Sequence, residues 1–404
     1  MEKNELLTCG LYHIQGGKNL LDLTNDTSAN IKQINTFINN DVLTKQSNLN
    51  FFIGSGCSTP AISLMGDTLK SILSRYVIVK QEFIIFLDLD EETTEIFEKY
   101  LNLELTDKEW LIANQYDNFS NIEAFMTYLK NKINVERDYA EKEKLVKLFE
   151  IIKDEFINSI PKHDAVEYEG DVANIYNEFY KNIFASRQYE TPKLNVFTTN
   201  YDLFNEIALE TNNIQYSTGF TNTLEPFFNI NQFNYRLVDE RNRYKDKWQP
   251  TTKEANLYKL HGSINWIAKG SKIISSNTND DNVIIYPTIL KHQETTQSPY
   301  SELFRELSIQ LQRPNSTLVV IGYGFGDDHI NNIIFQNLLN EDFTLIIFGD
   351  KEESRVKKVI QNYTDHHNLH IIGGEVIEDK ERIKMHYFSN ILKYFISKEE
   401  KMNE

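Results

Sequence analysis

Two glycine-rich turns, one asparagine and one histidine are the residues of this chain whose types and spacing can do chemistry. Gly54-Ser55-Gly56-Cys57-Ser58 follows the apolar run Leu49 to Ile53. Glycine lets backbone N–H groups approach a pyrophosphate and form an anion nest, and Ser55 and Ser58 add hydroxyl donors. Position 59 is Thr, so the segment is shorter than the Gly-x-Gly-x-x-Gly dinucleotide fingerprint, and an ordinary strand-to-helix turn has the same look. Val at Gly54 or Gly56 is expected to block backbone approach to a pyrophosphate. Asn200, in Thr198-Thr199-Asn200-Tyr201-Asp202, has an amide that both donates and accepts, which suits a ribose hydroxyl or a water. Asp202 is equally suited to capping a helix. His261 stands before Gly262; histidine as a residue type is suited to act as a general base, although a lone histidine is more often structural. Gly322, Gly324 and Gly326 repeat the glycine pattern, with Asp327 and Asp328 behind them. Backbone donors there suit phosphate or ribose, whereas the two carboxylates repel phosphate, so one is read as a cap or a hydroxyl acceptor. Asp350 is placed to accept from a second ribose, as acidic residues at strand ends do in dinucleotide folds; a plain loop aspartate is the alternative.

What must position these residues is a parallel sheet. Each cluster ends a short apolar run of the length of a buried strand: Leu49 to Ile53, Leu194 to Phe197, Leu257 to Leu260, Thr317 to Ile321 and Thr344 to Phe348. In such sheets ligands bind outside the carboxyl ends of the strands. The fold class is therefore α/β, a Rossmann-like parallel sheet with a helical insertion. Residues 1–47 read as an N-terminal helical extension, because Ile31 to Ile38 has helical spacing. Residues 48–397 form the nucleotide-binding domain, interrupted at about 80–190 by charged and apolar residues alternating with helical period. Residues 398–404 are a charged tail. Helices are expected from Tyr201 to Leu209, Ser301 to Gln312 and Lys351 to Tyr363, and from His329 to Leu339 with Asp328 as cap. Asn222 to Pro250 is read as irregular.

The formal net charge of −17 argues against broad contact with a phosphate backbone, so no direct nucleic-acid binding is expected. Cys9 and Cys57 are the only cysteines, which excludes a four-cysteine zinc site and a disulfide framework; no metal is expected. No apolar run reaches the length of a membrane span, and Met1 to Ile14 lacks a signal-peptide pattern. The expected location is the cytoplasm, with no membrane partner.

With these residues in view the chain resembles the sirtuin-like superfamily. Gly54 to Ser58 is similar to its Gly-Ala-Gly-x-Ser loop, Thr198 to Asp202 to its Thr-Gln-Asn-x-Asp motif, and His261-Gly262 to its His-Gly pair. Gly322 to Asp327, with Phe325, is similar to a Gly-Tyr-Ser-Phe-x-Asp variant of bacterial sirtuin-like defence proteins. Deacylating sirtuins usually carry a four-cysteine zinc ribbon after the His-Gly pair; here Trp266 to Leu318 has no cysteine. Their Asp-Phe-Arg segment is also missing, with Leu64 to Thr68 in its place. The zinc-free, helix-inserted pattern resembles bacterial antiphage effectors that hydrolyse NAD. The resemblance implies NAD as substrate and Asn200 and His261 as catalytic pair. It also implies that Gly54, Ser55, Gly56, Ser58, Thr199, Asp202, Gly322, Gly324, Phe325 and Asp350 hold the dinucleotide, Asp202 by supporting Asn200. Unchecked NAD hydrolysis would kill the host, so regulation by homo-oligomerisation or by a partner in trans is expected, and the resemblance implies a HerA-like hexameric ATPase as that partner. An NAD-dependent protein deacylase and a non-catalytic nucleotide-binding module are the competing readings.

Overall fold

The computed structural model describes residues 7–44 except 23 and 25, 48–64, 67–71 except 70, 77–80, 83–86, 94–96, 122–161, 168–187, 191–276 except 245, 246 and 271, 282–284, and 298–396 except 379. The charged tail at 398–404 and Asp-Phe-Arg-equivalent positions 65 and 66 lie outside the described residues. The chain divides into two compact units, one of Met1–Ser58, Lys162–Val283 and Gln297–Glu404, the other of Thr59–Pro161 and Ile284–Thr296.

Along the chain the strands are β1 (Leu7–Gln15), β2 (Lys18–Asn19), β3 (Asn48–Ile53), β4 (Val77–Lys80), β5 (Phe83–Phe86), β6 (Leu194–Thr198), β7 (Gln215–Ser217), β8 (Val238–Tyr244) and β9 (Lys247–Pro250). They continue with β10 (Glu254–Lys259), β11 (Gly262–Lys269), β12 (Lys272–Ser275), β13 (Asn282–Ile284), β14 (Ser316–Ile321), β15 (Phe343–Phe348), β16 (Leu369–Glu378) and β17 (Glu381–Lys384). The helices are α1 (Thr27–Thr36), α2 (Ile122–Val135), α3 (Tyr139–Asn158), α4 (Asp171–Ser186), α5 (Phe204–Thr211), α6 (Tyr300–Leu311), α7 (Asp328–Gln336), α8 (Ser354–Tyr363) and α9 (Phe388–Tyr394).

The first unit is built on a sheet ordered β2-β1-β16-β15-β14-β3-β6-β10-β7, with β17 added on β16. From β16 to β7 every neighbouring pair is parallel. Strands covered on both faces must be apolar throughout, and β3 and β14 are buried along nearly their whole length. The chain leaves β3 toward β6 on one side and returns on its other side at β14. That reversal is the switch point at which open α/β sheets bind ligands. The expected α/β, Rossmann-like class is the observed one.

The N-terminal segment is only partly helical. Asp26 caps α1 by accepting from Ala29 N at 2.6 Å, and a π-helical stretch, Phe37–Leu43, continues it. Ile31, Ile34, Ile38 and Val42 are buried within the protomer. Before the helix, β1 pairs antiparallel with β16, so the segment completes the sheet. Helical periodicity dominates the reading of this segment, and a bulge between Cys9 and Tyr12, with Gly10 at φ +88, breaks the alternation that would mark the strand. A readable signal was there: Gly16 and Gly17, both at positive φ, form the two-residue turn to β2.

The second unit holds the β4–β5 hairpin and the helices α2 and α3. Ile122, Phe125, Met126 and Leu129 are buried on α2, and Leu145, Leu148, Ile152 and Phe156 on α3, both at helical spacing. The insertion is thus partly β, and it ends at Pro161 instead of at about 190. Helix α4 belongs to the first unit, where Phe179 meets Phe51 of β3 edge-on at 5.1 Å. Asn222 to Pro250 is more ordered than expected, containing a 3-10 turn at Ile230–Asn234 and the antiparallel pair β8–β9.

Candidate active site

The turn after β3 and the turn after β14 interlock. Gly54 N donates to Ile321 O and Gly56 N to Gly322 O, each at 2.9 Å, while Cys57 N and Ser58 N close the turn on Gly54 O and Ser55 O. A Cβ on Gly54 would come within 3.0 Å of Gly322 O and Tyr323 Cα. One on Gly322, at φ +65, would stand 2.7 Å from Cys57 N and Sγ. These glycines are therefore required by the close approach of two backbones. The expected anion nest is corrected accordingly, because the N–H groups of Gly54, Gly56, Cys57 and Ser58 are spent inside the protein.

Asn200 sits beyond the end of β6, next to this turn. Thr198 donates through Oγ1 to Ile53 O at 2.7 Å and accepts from Asn200 N at 3.0 Å, which fixes the chain where it leaves the strand. The Asn200 amide nitrogen donates to Gly54 O and to Ser58 Oγ, both at 3.1 Å. The side chain is oriented by these bonds, and its Oδ1, buried, accepts from no group among the described residues. Asp202 supports Asn200 indirectly: Ser58 Oγ donates to Asp202 Oδ2 at 2.9 Å and lies 3.0 Å from Tyr176 OH. Its Oδ1 accepts from Phe204 N at 3.1 Å, so the same carboxylate also bonds the first residue of α5, whose cap position is Leu203.

Beneath this corner lies an ionic group that the motif reading did not include. Lys259, fully buried at the end of β10, donates through Nζ to Glu206 Oε1 at 2.9 Å, to Tyr201 O at 3.3 Å and to Asp202 O. Burial raises the carboxyl pKa of Glu206 and of Asp202, and the Lys259 ammonium opposes the rise in both. The signal for it was a charged residue inside the apolar run Leu257 to Leu260, a position that a lysine occupies only when its charge is met.

His261 follows β10 as Asn200 follows β6. Lys259 is in register with Thr198, and Leu260 N donates to Thr198 O at 2.9 Å, so residues 200 and 261 leave neighbouring strands at matching positions. The Tyr201 and His261 rings have centroids 6.4 Å apart. His261 Nε2 lies 3.1 Å from Asp327 Oδ2, both groups being buried. When that nitrogen carries the proton, the imidazole lone pair is on Nδ1. Asp327 Oδ1 meanwhile accepts from His329 N and Ile330 N at the start of α7. The cap of this helix is thus Asp327, correcting the assignment to Asp328. One carboxylate holds the helix and the imidazole together.

The remaining expected site residues are spread along the same end of the sheet. Thr199 is half-buried beside Asn200. Gly324 has open space, its nearest neighbour being Glu353 Oε1 at 3.9 Å from a Cβ, and its carbonyl accepts from Arg355 at 3.2 Å. Phe325 is buried at φ +50 between the rings of Tyr323 and Phe335, so its side chain belongs to the core. Asp350 lies two residues past the end of β15, accepts from Glu352 N at 3.0 Å and faces Lys384 at 3.8 Å. Two strands, β14 and β3, lie between β15 and β6, which sets them three strand spacings or roughly 14 Å apart. Asn200, Ser58, Asp202, His261 and Asp327 come together, and Asp350 stands apart at the other end of the same edge. No group of three or more His, Cys, Asp or Glu placed to hold a metal occurs among the described residues.

Residues 194–372 match the family model described as SIR2-like domain. The span runs from β6 into β16, so it takes in Asn200, His261 and the Gly322 to Asp327 turn but not Gly54 to Ser58. A search among curated proteins found no match.

Proposed function

We propose that the SIR2-like domain of this chain is an NAD glycohydrolase, cleaving NAD to nicotinamide and ADP-ribose. SIR2-like domains use NAD in general. The observation that carries the finer reading is the Asn200 amide. Its nitrogen is committed to Gly54 O and Ser58 Oγ, which leaves a buried Oδ1 with no partner among the described residues, at the end of the strand next to that of a histidine held by a carboxylate. A buried acceptor without a donor costs about 1–3 kcal/mol, and a ribose hydroxyl or a water is the donor that would remove this cost.

Cleavage breaks the bond between C1′ of the ribose and the nicotinamide nitrogen through an oxocarbenium-like state, as in glycoside hydrolysis. The bonding pair leaves with the nicotinamide, which starts cationic and departs neutral. Asn200 orients the ribose or the water, His261 takes the proton released when the water oxygen bonds to C1′, and Asp327 holds the imidazole and stabilises the imidazolium that forms. Asn200→Ala and His261→Ala are each expected to lower turnover by about 10²–10⁴-fold with the fold kept. NAD consumption, read by release of nicotinamide and ADP-ribose, checks this; near-normal turnover in either variant overturns the assignment. Adding acetylated peptide separates the competing deacylase reading, because that reaction yields acetyl-ADP-ribose. Retained binding with no turnover by the unmodified chain would favour the non-catalytic reading.

An enzyme that consumes NAD without restraint depletes its own cell. We infer an effector of antiphage defence, homo-oligomeric and governed by a HerA-like hexameric ATPase in trans. The support for this is the resemblance of the four motifs and the need for restraint.

A further inference from the structure

The first unit has a second concave region, away from the carboxyl ends of the strands. It runs beside the edge strand β7 and over the amino ends of β6 and β10, and its volume is about 390 Å³. That lies within the range of small-molecule sites. Lys193, Tyr216, Phe220, Tyr235, Arg236 and Glu254 form its chemically distinctive walls. Glu254 begins β10 and His261 follows its end, so roughly 20 Å of extended chain separates the cleft from the candidate active site.

Its charge balance is unlike that of the chain. The whole protein carries −17, yet among the described residues the cleft gathers cations around one lining carboxylate, Glu254, that is already engaged. Glu254 accepts from Arg236 Nε at 2.8 Å on one oxygen and from Leu237 N at 2.6 Å on the other. The Arg236 bonds use Nε and, at 3.5 Å to Thr191 O, Nη1, which leaves the protons of Nη2. Lys193 donates to Asn256 Oδ1 at 3.2 Å and Phe233 O at 3.4 Å, which leaves its third proton. Arg187, bonded to Pro192 O, adds a further positive charge: burial and then the Arg236 charge hold its pKa down at about 10. Burial likewise lowers the Lys193 pKa, with Glu254 opposing and Arg236 reinforcing the shift. Like charges held together in a partly desolvated cleft are relieved by an anion. Beside them, Tyr235 leaves 62% of its surface exposed, an aromatic face on which a planar ring can stack.

We propose that this cleft binds a nucleoside monophosphate, with the phosphate at Lys193 and Arg236 and the base against Tyr235. The site is separate from the NAD site, and its existence does not depend on the reaction assigned there. Calorimetric titration of the full chain with AMP, adenosine and inorganic phosphate tests it. AMP is expected to bind more tightly than either fragment. Lys193→Gln should weaken AMP at least tenfold and Tyr235→Ala several-fold, because both remove contacts at the cleft and neither lies near the carboxyl ends of the strands. Tyr235 is exposed, so its variant keeps the fold even if a change at Lys193 disturbs Asn256. AMP affinity unchanged in both variants would place any binding elsewhere and overturn the proposal, as would absence of AMP binding up to millimolar concentration.

Discussion

Lys259 shows what a single residue contributes beneath the candidate active site. Its ammonium meets Glu206 and the carbonyls of Tyr201 and Asp202, so it holds the backbone from which Asn200 projects. Lys259→Met keeps the length of the side chain and removes the charge, leaving Glu206 buried without its cation. Breaking a buried pair in this way costs about 3–5 kcal/mol. The expected outcome is a large drop in the urea midpoint, partly restored by adding Glu206→Gln. An unchanged midpoint in the single variant would show that the ion pair contributes nothing. The placing of Asn200 and His261 just beyond the ends of neighbouring strands was legible from the apolar runs that precede them. The second duty of Asp327 was not, because two adjacent aspartates look alike until the turn decides which one reaches both a helix N-terminus and an imidazole.

At the scale of the elements, the two glycine turns act as a clasp between β3 and β14. The positions were legible as motifs, but the reason for glycine was not: the backbone that approaches Gly54 belongs to residues 322 and 323, far away in the chain. The test follows from the difference in free space. Gly54→Ala should lower the melting temperature and weaken NAD binding together, since the added carbon collides with the facing backbone. Gly324→Ala should leave the melting temperature nearly unchanged, because its Cβ would have no neighbour closer than 3.9 Å. Equal melting temperatures for both variants would refute the clasp. Val at Gly54 or Gly56, expected from the sequence to block approach to a pyrophosphate, would first collide with the Gly322 backbone, so loss of stability is the first effect.

At the scale of the whole molecule, the N-terminal strand closes the sheet through a buried histidine pair. His13 Nε2 lies 2.9 Å from His370 Nδ1, joining β1 to β16, with Phe37 packed against both rings. Burial, then the charge of His370, holds the His13 pKa down at about 3; burial alone holds that of His370 at about 4. In the unfolded chain both return toward about 6.5, so below that pH the unfolded state binds protons that the folded state refuses. Stability contributed by the pair is therefore complete above pH ~6.5 and declines as the pH falls toward 4, by up to ~1.4 kcal/mol per pH unit for each histidine. Urea midpoints at about pH 7 and about pH 5 should diverge less in a His13→Gln, His370→Gln double variant than in the parent. Identical divergence would exclude the pair as its source. The proposed assembly belongs to the same scale. The apolar face of α1 is spent within the protomer, so subunit contacts must use other surfaces. Light scattering at micromolar concentration is expected to give a homo-oligomer, and NAD turnover is expected to change as a HerA-like ATPase is titrated in. A monomer, fully active alone, would remove the regulatory reading and leave the hydrolase assignment intact.

The sequence by itself determined the parallel sheet and the residues at its carboxyl edge. Both depend on short-range information: apolar runs of strand length, and the small or polar clusters that end them. Only the tertiary structure decided that β1 completes the sheet, that the glycines serve a clasp of one backbone on another, and that Asp327 holds His261. It also decided that Lys259 is matched by Glu206, and that Lys193, Arg236 and Tyr235 face one cleft. Each of these is a contact between segments remote in the chain. Periodicity and turn chemistry report only on neighbours along the sequence, whereas charge pairing, close backbone approach and the walls of a cleft exist only once strands distant in sequence lie side by side.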